Sequence, residues 1–294
     1  MIAYGVKIKS DIALPYDIGY ASEACHEIRL CALNASNTFD SLTVSISMPL
    51  THGREIYAYT DRHSDHIEKG QPVCYEIRGV ARFYWITGAS DISYELFENG
   101  NNRLLGFWFL HLLLPYYLTV EEVYVFFHAG AVDVEGRGTL FTAPSHGGKS
   151  TMTDYFIKQG HALISDDKVA TYLQEGRWMA VGSHPYRRPY RNYEDLGYKT
   201  ANFQKNEQQI RTVYIFEKAG EDADVSFEEI RGTDKLSAVR PSALFSFSHL
   251  ALRRFEYLAK ALHGVRVFRV WIPWNMQRLD EVYHHIRLHS EGTA

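Results

Sequence analysis

Residues 41–48 alternate strictly between apolar and polar. Leu42, Val44, Ile46 and Met48 fall on one side and Ser41, Thr43, Ser45 and Ser47 on the other. A period of two marks a half-buried strand. Residues 73–77, 81–86 and 92–97 are further short apolar runs, separated by Gly79, Gly88 and Asn99-Gly100. They predict a small β-rich domain over residues 1–100. The period then changes. Leu105, Trp108, Leu112 and Tyr116 recur at helical spacing, and Leu104, Leu113 and Leu114 widen the stripe. This predicts a buried packing helix over 102–114 that ends near Pro115, within a connecting segment 101–118.

From Val123 the texture alternates between strand and helix. Apolar runs at 123–127, 130–134 and 139–142 read as strands, with a turn at 136–138. A glycine-rich turn follows. Residues 151–159 read as a helix stopped by Gly160, and 161–165 as a strand that ends at Asp166-Asp167. The last sixty residues predict a helix over 250–263, a strand over 265–272 and a helix over 277–288. The expected fold class is α/β (α+β), with the β-rich N-terminal domain followed by an α/β domain over residues 119–294.

Composition narrows the function classes. The chain has 294 residues, 46% hydrophobic and 22% charged, which excludes long disorder. A formal charge of −4 argues against general nucleic-acid binding. Residues 1–9 hold no continuous apolar stretch of the length a signal peptide needs, and the run 104–118 is broken by His111 and Pro115. No export signal and no membrane association are therefore expected. Cys25, Cys31 and Cys74 fit no zinc or redox spacing and read as reduced thiols of a cytoplasmic protein.

The chemistry concentrates in Ala143-Pro144-Ser145-His146-Gly147-Gly148-Lys149-Ser150-Thr151. This is a near match to the phosphate-binding loop G-x-x-x-x-G-K-[ST], with Ala143 in place of the first glycine. Gly147 and Gly148 let backbone N–H groups curl round a phosphate. Lys149 reaches β- and γ-phosphate oxygens, Ser150 offers a hydroxyl to Mg²⁺, and a helix N-terminus from Thr151 faces the anion. Ser145 and His146 complete the loop. Asp166-Asp167 ends the next strand. In a parallel sheet neighbouring C-terminal ends share an edge, so the acidic pair is expected to face the phosphates.

Residues 127–132, the loop, and the strand 160–167 (Gly-His-Ala-Leu-Ile-Ser-Asp-Asp) occur in a fixed order. Together they resemble the catalytic domain of the HPr kinase/phosphorylase family. The resemblance is specific over about residues 128–172. It implies a phosphate loop on a fold similar to phosphoenolpyruvate carboxykinase, with ATP and Mg²⁺ as cofactors and a serine-bearing protein as acceptor. It implies that His128 lies near the acidic pair and that Lys149 binds β- and γ-phosphates. It also implies that Asp166 is the general base, and that Asp167 and Ser150 support the metal. The family's glycine- and glutamate-rich signature after the acidic strand is not recognisable; residues 183–191 stand there instead. In layout the chain looks most like kinases that phosphorylate the C-terminal serine of lasso-peptide precursors. HPr or a small metabolite as acceptor, and a non-catalytic nucleotide-binding module, remain open. Family members form homo-oligomers, but no residue of this chain implies an oligomeric state.

Arg187, Arg188 and Arg191 have the fork geometry to clamp a phosphoryl group or a carboxylate, or else belong to a solvated loop. Arg240, in Val239-Arg240-Pro241, weakly resembles an Arg-Pro segment of the family. From Lys235 onward nine Lys/Arg face four acidic residues, a balance that suits an acidic peptide or nucleotide, or simply a solvated surface.

Overall fold

Strands of the first hundred residues pair into one mixed sheet. Its order is Ile2–Ala3, Val6–Ser10, His26–Ala32, Asp91–Leu96, Ala81–Ile86, Pro72–Ile77, Arg54–Thr60 and Thr43–Thr51. In this computed structural model the described residues are 1–14, 16, 26–33, 42–61, 67–188 and 194–292, with backbone alone over 44–50. Ser41 and Cys25 lie outside them. Cys31 and Cys74 are free thiols, and burial pushes Cys74 up to about 12.

The chain divides into two units. The first is Met1–Val123, Asn192–Leu196 and Phe245–Ala251; the second is Tyr124–Arg191, Gly197–Leu244 and Leu252–Ala294. The helix expected to connect two domains stays with the first sheet. Tyr116 packs on Tyr75, the rings tilted by 44° with centroids 4.7 Å apart, and the Phe109 and Phe83 ring centroids lie 6.2 Å apart. Asn101 caps the helix by accepting from the N–H groups of Arg103 and Leu104.

The helix also runs past Pro115. It continues as Asn102–Trp108, a π-helical turn Phe109–Leu113, and Leu114–Val120. Proline lacks the N–H that an α-helix requires and crowds the preceding turn. The wider turn just before it accommodates both. The stretch Asn102–Val120 is long and apolar enough to cross a membrane, yet 83% of its apolar window is buried inside the protein.

The second unit is built on a nine-stranded sheet. Arg137–Thr142 pairs antiparallel with Gly130–Val134 and parallel with Gln208–Ala219, which runs parallel to Arg266–Pro273. Both faces are covered. Phe141, Leu163 and Tyr214 pack with Met152 and Phe156 of the helix Lys149–Lys158 and with Ile286 of Leu279–Gly292. The adjacent residues Leu140, Ile164 and Val213 point into the opposite core, with Trp178 and with Leu258 of Ala251–Ala261. A strand buried on both faces reads as a continuous apolar run, as these segments do. Helices on both faces of a largely buried sheet make the unit α/β. Ile164→Val removes one buried methyl group. It is expected to cost about 0.5–1.5 kcal/mol, read from the urea unfolding midpoint.

One expectation of topology is corrected. Ala162–Ser165 does not neighbour Arg137–Thr142; Gly130–Val134 lies between them, antiparallel to both. Two antiparallel steps restore the direction. Ala131 pairs with Ser165, and Gly130 with Phe141. The C-terminal ends of the loop strand and the acidic strand therefore still reach the same sheet edge.

Candidate active site

The loop after Thr142 turns on two glycines. The Gly147 N–H donates to the Pro144 carbonyl at 2.9 Å. A Cβ on Gly147 would lie 2.6 Å from the Ala143 Cβ and 2.9 Å from the Pro144 oxygen. The Ala143 methyl thus fills the space that a bare Gly147 leaves. Gly148 has φ +86° and caps the helix Lys149–Lys158. The helix begins two residues before the expected start, so Lys149 and Ser150 stand in its first turn, where the N–H groups are unsatisfied. Gly148→Ala forces an L-residue into the left-handed region and is expected to cost more than about 1 kcal/mol, read by chemical denaturation.

Ser145, His146, Gly147, Gly148, Lys149, Ser150 and Thr151 line one cavity of about 410 Å³. Pro144, His128, Asp166, Asp167, Arg188 and Trp274 complete its wall. Strand pairing explains the convergence: the acidic pair follows Ala162–Ser165, and Val169, just beyond it, pairs with Phe127, the residue before His128.

The two carboxylates have different surroundings. Asp166 is buried; its Oδ2 accepts from the Arg188 backbone N–H at 2.7 Å, while its Oδ1 is buried without a hydrogen-bond partner. Burial first, and the neighbouring Asp167 second, raise its pKa above the ordinary carboxylate range. Asp167, at φ +71°, faces cations. Lys149 Nζ lies 3.4 Å from its Oδ1, Lys168 Nζ 3.1 Å from its Oδ2, and the Arg188 guanidinium 3.5 Å from its Oδ2. His128 Nδ1 is 3.2 Å from Asp167 Oδ1 and 3.5 Å from Lys149 Nζ. Burial, then Lys149, lower the His128 pKa, so its imidazole is neutral at pH 7.

The remaining arginines separate. Arg188 reaches the cavity by its backbone and by its side chain. Arg187 instead pairs with Asp154 of the loop helix and is absent from the cavity wall. Arg240 is exposed and also absent from that wall, although its turn is tied to the site because His128 N–H donates to the Ser242 carbonyl at 2.7 Å. Arg191 lies outside the described residues. Two contributors escaped the sequence reading. Lys168 is buried against Asp167, and its adjacency to the acidic pair was the available signal. Trp274 comes from the far end of the chain, and nothing local marks it.

Known proteins resemble part of this chain. The HPr kinase/phosphorylase of Latilactobacillus sakei subsp. sakei is 43% identical over 58 residues, 20% of this chain and 18% of that protein. That of Clostridium tetani is 44% identical over 59 residues, 20% of this chain and 19% of that protein. Over this segment the chain is HPr kinase/phosphorylase-like. It spans about a fifth of the length of these curated relatives. No family profile matches it. The Hpr(Ser) kinase/phosphatase from Coxiella burnetii aligns with 57% of this chain and 93% of its own, at 14% identity and a TM-score of 0.34.

The residues present fit Mg-ATP. The Ser150 hydroxyl and the Asp167 carboxylate line the glycine cradle. These are hard oxygen donors. Among the described residues no cluster of three or more His, Cys, Asp or Glu could hold a metal alone. A partial shell suits Mg²⁺, which keeps waters and takes further ligands from substrate phosphates.

Proposed function

We propose that this protein is an ATP-dependent serine kinase. It transfers the γ-phosphoryl group to a serine hydroxyl of a peptide or small protein. One observation carries the reading: a buried carboxyl with an unpartnered oxygen, Asp166, lines the same cavity as a glycine-rich loop with a buried lysine. A general base needs raised proton affinity and an open acceptor atom beside the phosphates.

Gly147, Gly148 and the first turn of the helix hold the triphosphate by backbone N–H groups, and Lys149 neutralises its β- and γ-oxygens. Ser150 and Asp167 hold Mg²⁺, which supplies charge neutralisation to the phosphates. Asp166 takes the proton from the acceptor hydroxyl as that oxygen bonds to the γ-phosphorus. The bond from the γ-phosphorus to the β,γ-bridging oxygen breaks, and ADP leaves. The Arg188 N–H holds Asp166 Oδ2, which leaves Oδ1 for the proton. The neutral His128 beside Asp167 adds no further positive charge to that carboxylate. On this reading the protein works in the cytoplasm, where thiols such as Cys31 and Cys74 stay reduced.

The acceptor we favour is the C-terminal serine of a lasso-peptide precursor, on the chain's layout. The test follows ADP release from Mg-ATP with a Ser-ending precursor, the same peptide ending in Ala, and HPr. Release with the Ser peptide alone supports this acceptor. Release with HPr alone moves the acceptor to HPr. Bound ATP with no release in any arm overturns the kinase reading in favour of a regulatory module.

A further inference from the structure

A second, apolar cavity of about 140 Å³ adjoins the first at the end of the glycine-rich loop. Gly148, Thr151 and Trp274 line both cavities. The smaller one is walled by Met152, Ile272, Met276 and Leu279. Its chemistry is unlike that of its neighbour: no carboxylate and no lysine line it. Two large side chains stand exposed there, Trp274 at 43% and Met276 at 68%. Exposed apolar groups gathered at a concave site next to a polar one mark a ligand surface.

Trp274 is held in place. It follows the strand Arg266–Pro273, and Lys218 Nζ sits 3.8 Å from its ring centroid. Its ring lies 3.4 Å from the position that a Gly148 Cβ would take. The indole is therefore fixed against the residue that caps the phosphate helix. A nucleoside triphosphate is polar at the phosphates and flat and apolar at the base. The paired cavities repeat that division.

Resting on the kinase reading, we infer that Trp274, Met276 and Leu279 form the nucleobase subsite, and that base stacking on Trp274 makes a nucleotide, rather than a bare polyphosphate, the phosphoryl donor. Thr151, which lines both cavities, stands where the ribose links the two parts.

The test titrates wild type, Trp274→Ala and Trp274→Phe with Mg-ATP and with Mg-tripolyphosphate, by calorimetry without acceptor. Trp274 is partly exposed, so its removal opens no core. Wild type is expected to bind ATP at least about tenfold more tightly than tripolyphosphate. Trp274→Ala should lose that preference while holding tripolyphosphate within about twofold, and Trp274→Phe should regain most of it. Equal binding of both ligands by wild type overturns the subsite and leaves the phosphate loop standing. Equal weakening of both by Trp274→Ala also overturns it, since the indole would then only brace the loop. Unchanged ATP affinity in Trp274→Ala overturns it as well, since the base would then rest elsewhere. Binding of neither ligand by wild type overturns the kinase reading, and the subsite with it.

Discussion

Asp166→Asn is expected to abolish phosphoryl transfer, by about 10²–10⁴-fold in kcat, with Mg-ATP affinity kept within about twofold. The substitution is close to isosteric. Its amide oxygen still accepts from the Arg188 N–H, so the cavity wall holds. What disappears is the acceptor for the serine proton. Single-turnover kinetics and calorimetry read the two effects separately; equal loss of transfer and of binding would remove Asp166 from the base role. The pH profile gives a second reading. Burial and Asp167 raise the Asp166 pKa. The base works only when ionised, so the acidic limb of wild-type kcat should lie above the ordinary carboxylate range. Stability runs the other way. A raised folded pKa contributes stability fully present below the unfolded pKa and lost as pH rises through the folded value. Asp166→Asn should remove that component, so its melting temperature should fall less than that of wild type as pH rises through this window.

Lys149→Ala is expected to weaken Mg-ATP binding by about 10- to 100-fold, the loss of charge-assisted hydrogen bonds to the β- and γ-phosphates. Turnover falls with it. Lys149 is buried against Asp167, yet the fold should survive, because Lys168, Arg188 and His128 still face that carboxylate. Calorimetry measures the binding loss, and affinity unchanged within twofold would contradict the role. A separate readout follows from His128. After burial, Lys149 is the main influence lowering its pKa. Removing the lysine should raise it, seen as an upward shift in its NMR titration. Asp166→Asn spares binding and Lys149→Ala does not, so the pair separates positioning of the nucleotide from proton transfer.

The glycine-rich loop was legible because its requirements are local. Two glycines, a lysine and a hydroxyl must be consecutive in sequence to be consecutive on a helix N-terminus. The acidic pair was legible for a reason that survived an error of topology. Its strand does not neighbour the loop strand, but two antiparallel steps bring it to the same edge. Strand direction depends on pairings distant in sequence, and a short apolar run carries no record of them. The same limit hid Trp274, which joins the site only because Arg266–Pro273 pairs parallel to Gln208–Ala219. Arg187 and Arg188 are adjacent and alike in type, so composition treats them as one cluster. The fold sends one to Asp154 and the other to the cavity. Pro115 reads as a helix terminator, and only the π-helical turn ahead of it explains why the helix continues.

The most direct measurement is the intact mass of a Ser-ending precursor peptide after incubation with Mg-ATP and either wild type or Asp166→Asn. Addition of one phosphoryl group, located at the serine and present only with wild type, is the expected result. An unmodified peptide with wild type, or equal modification by both proteins, would contradict phosphoryl transfer through Asp166.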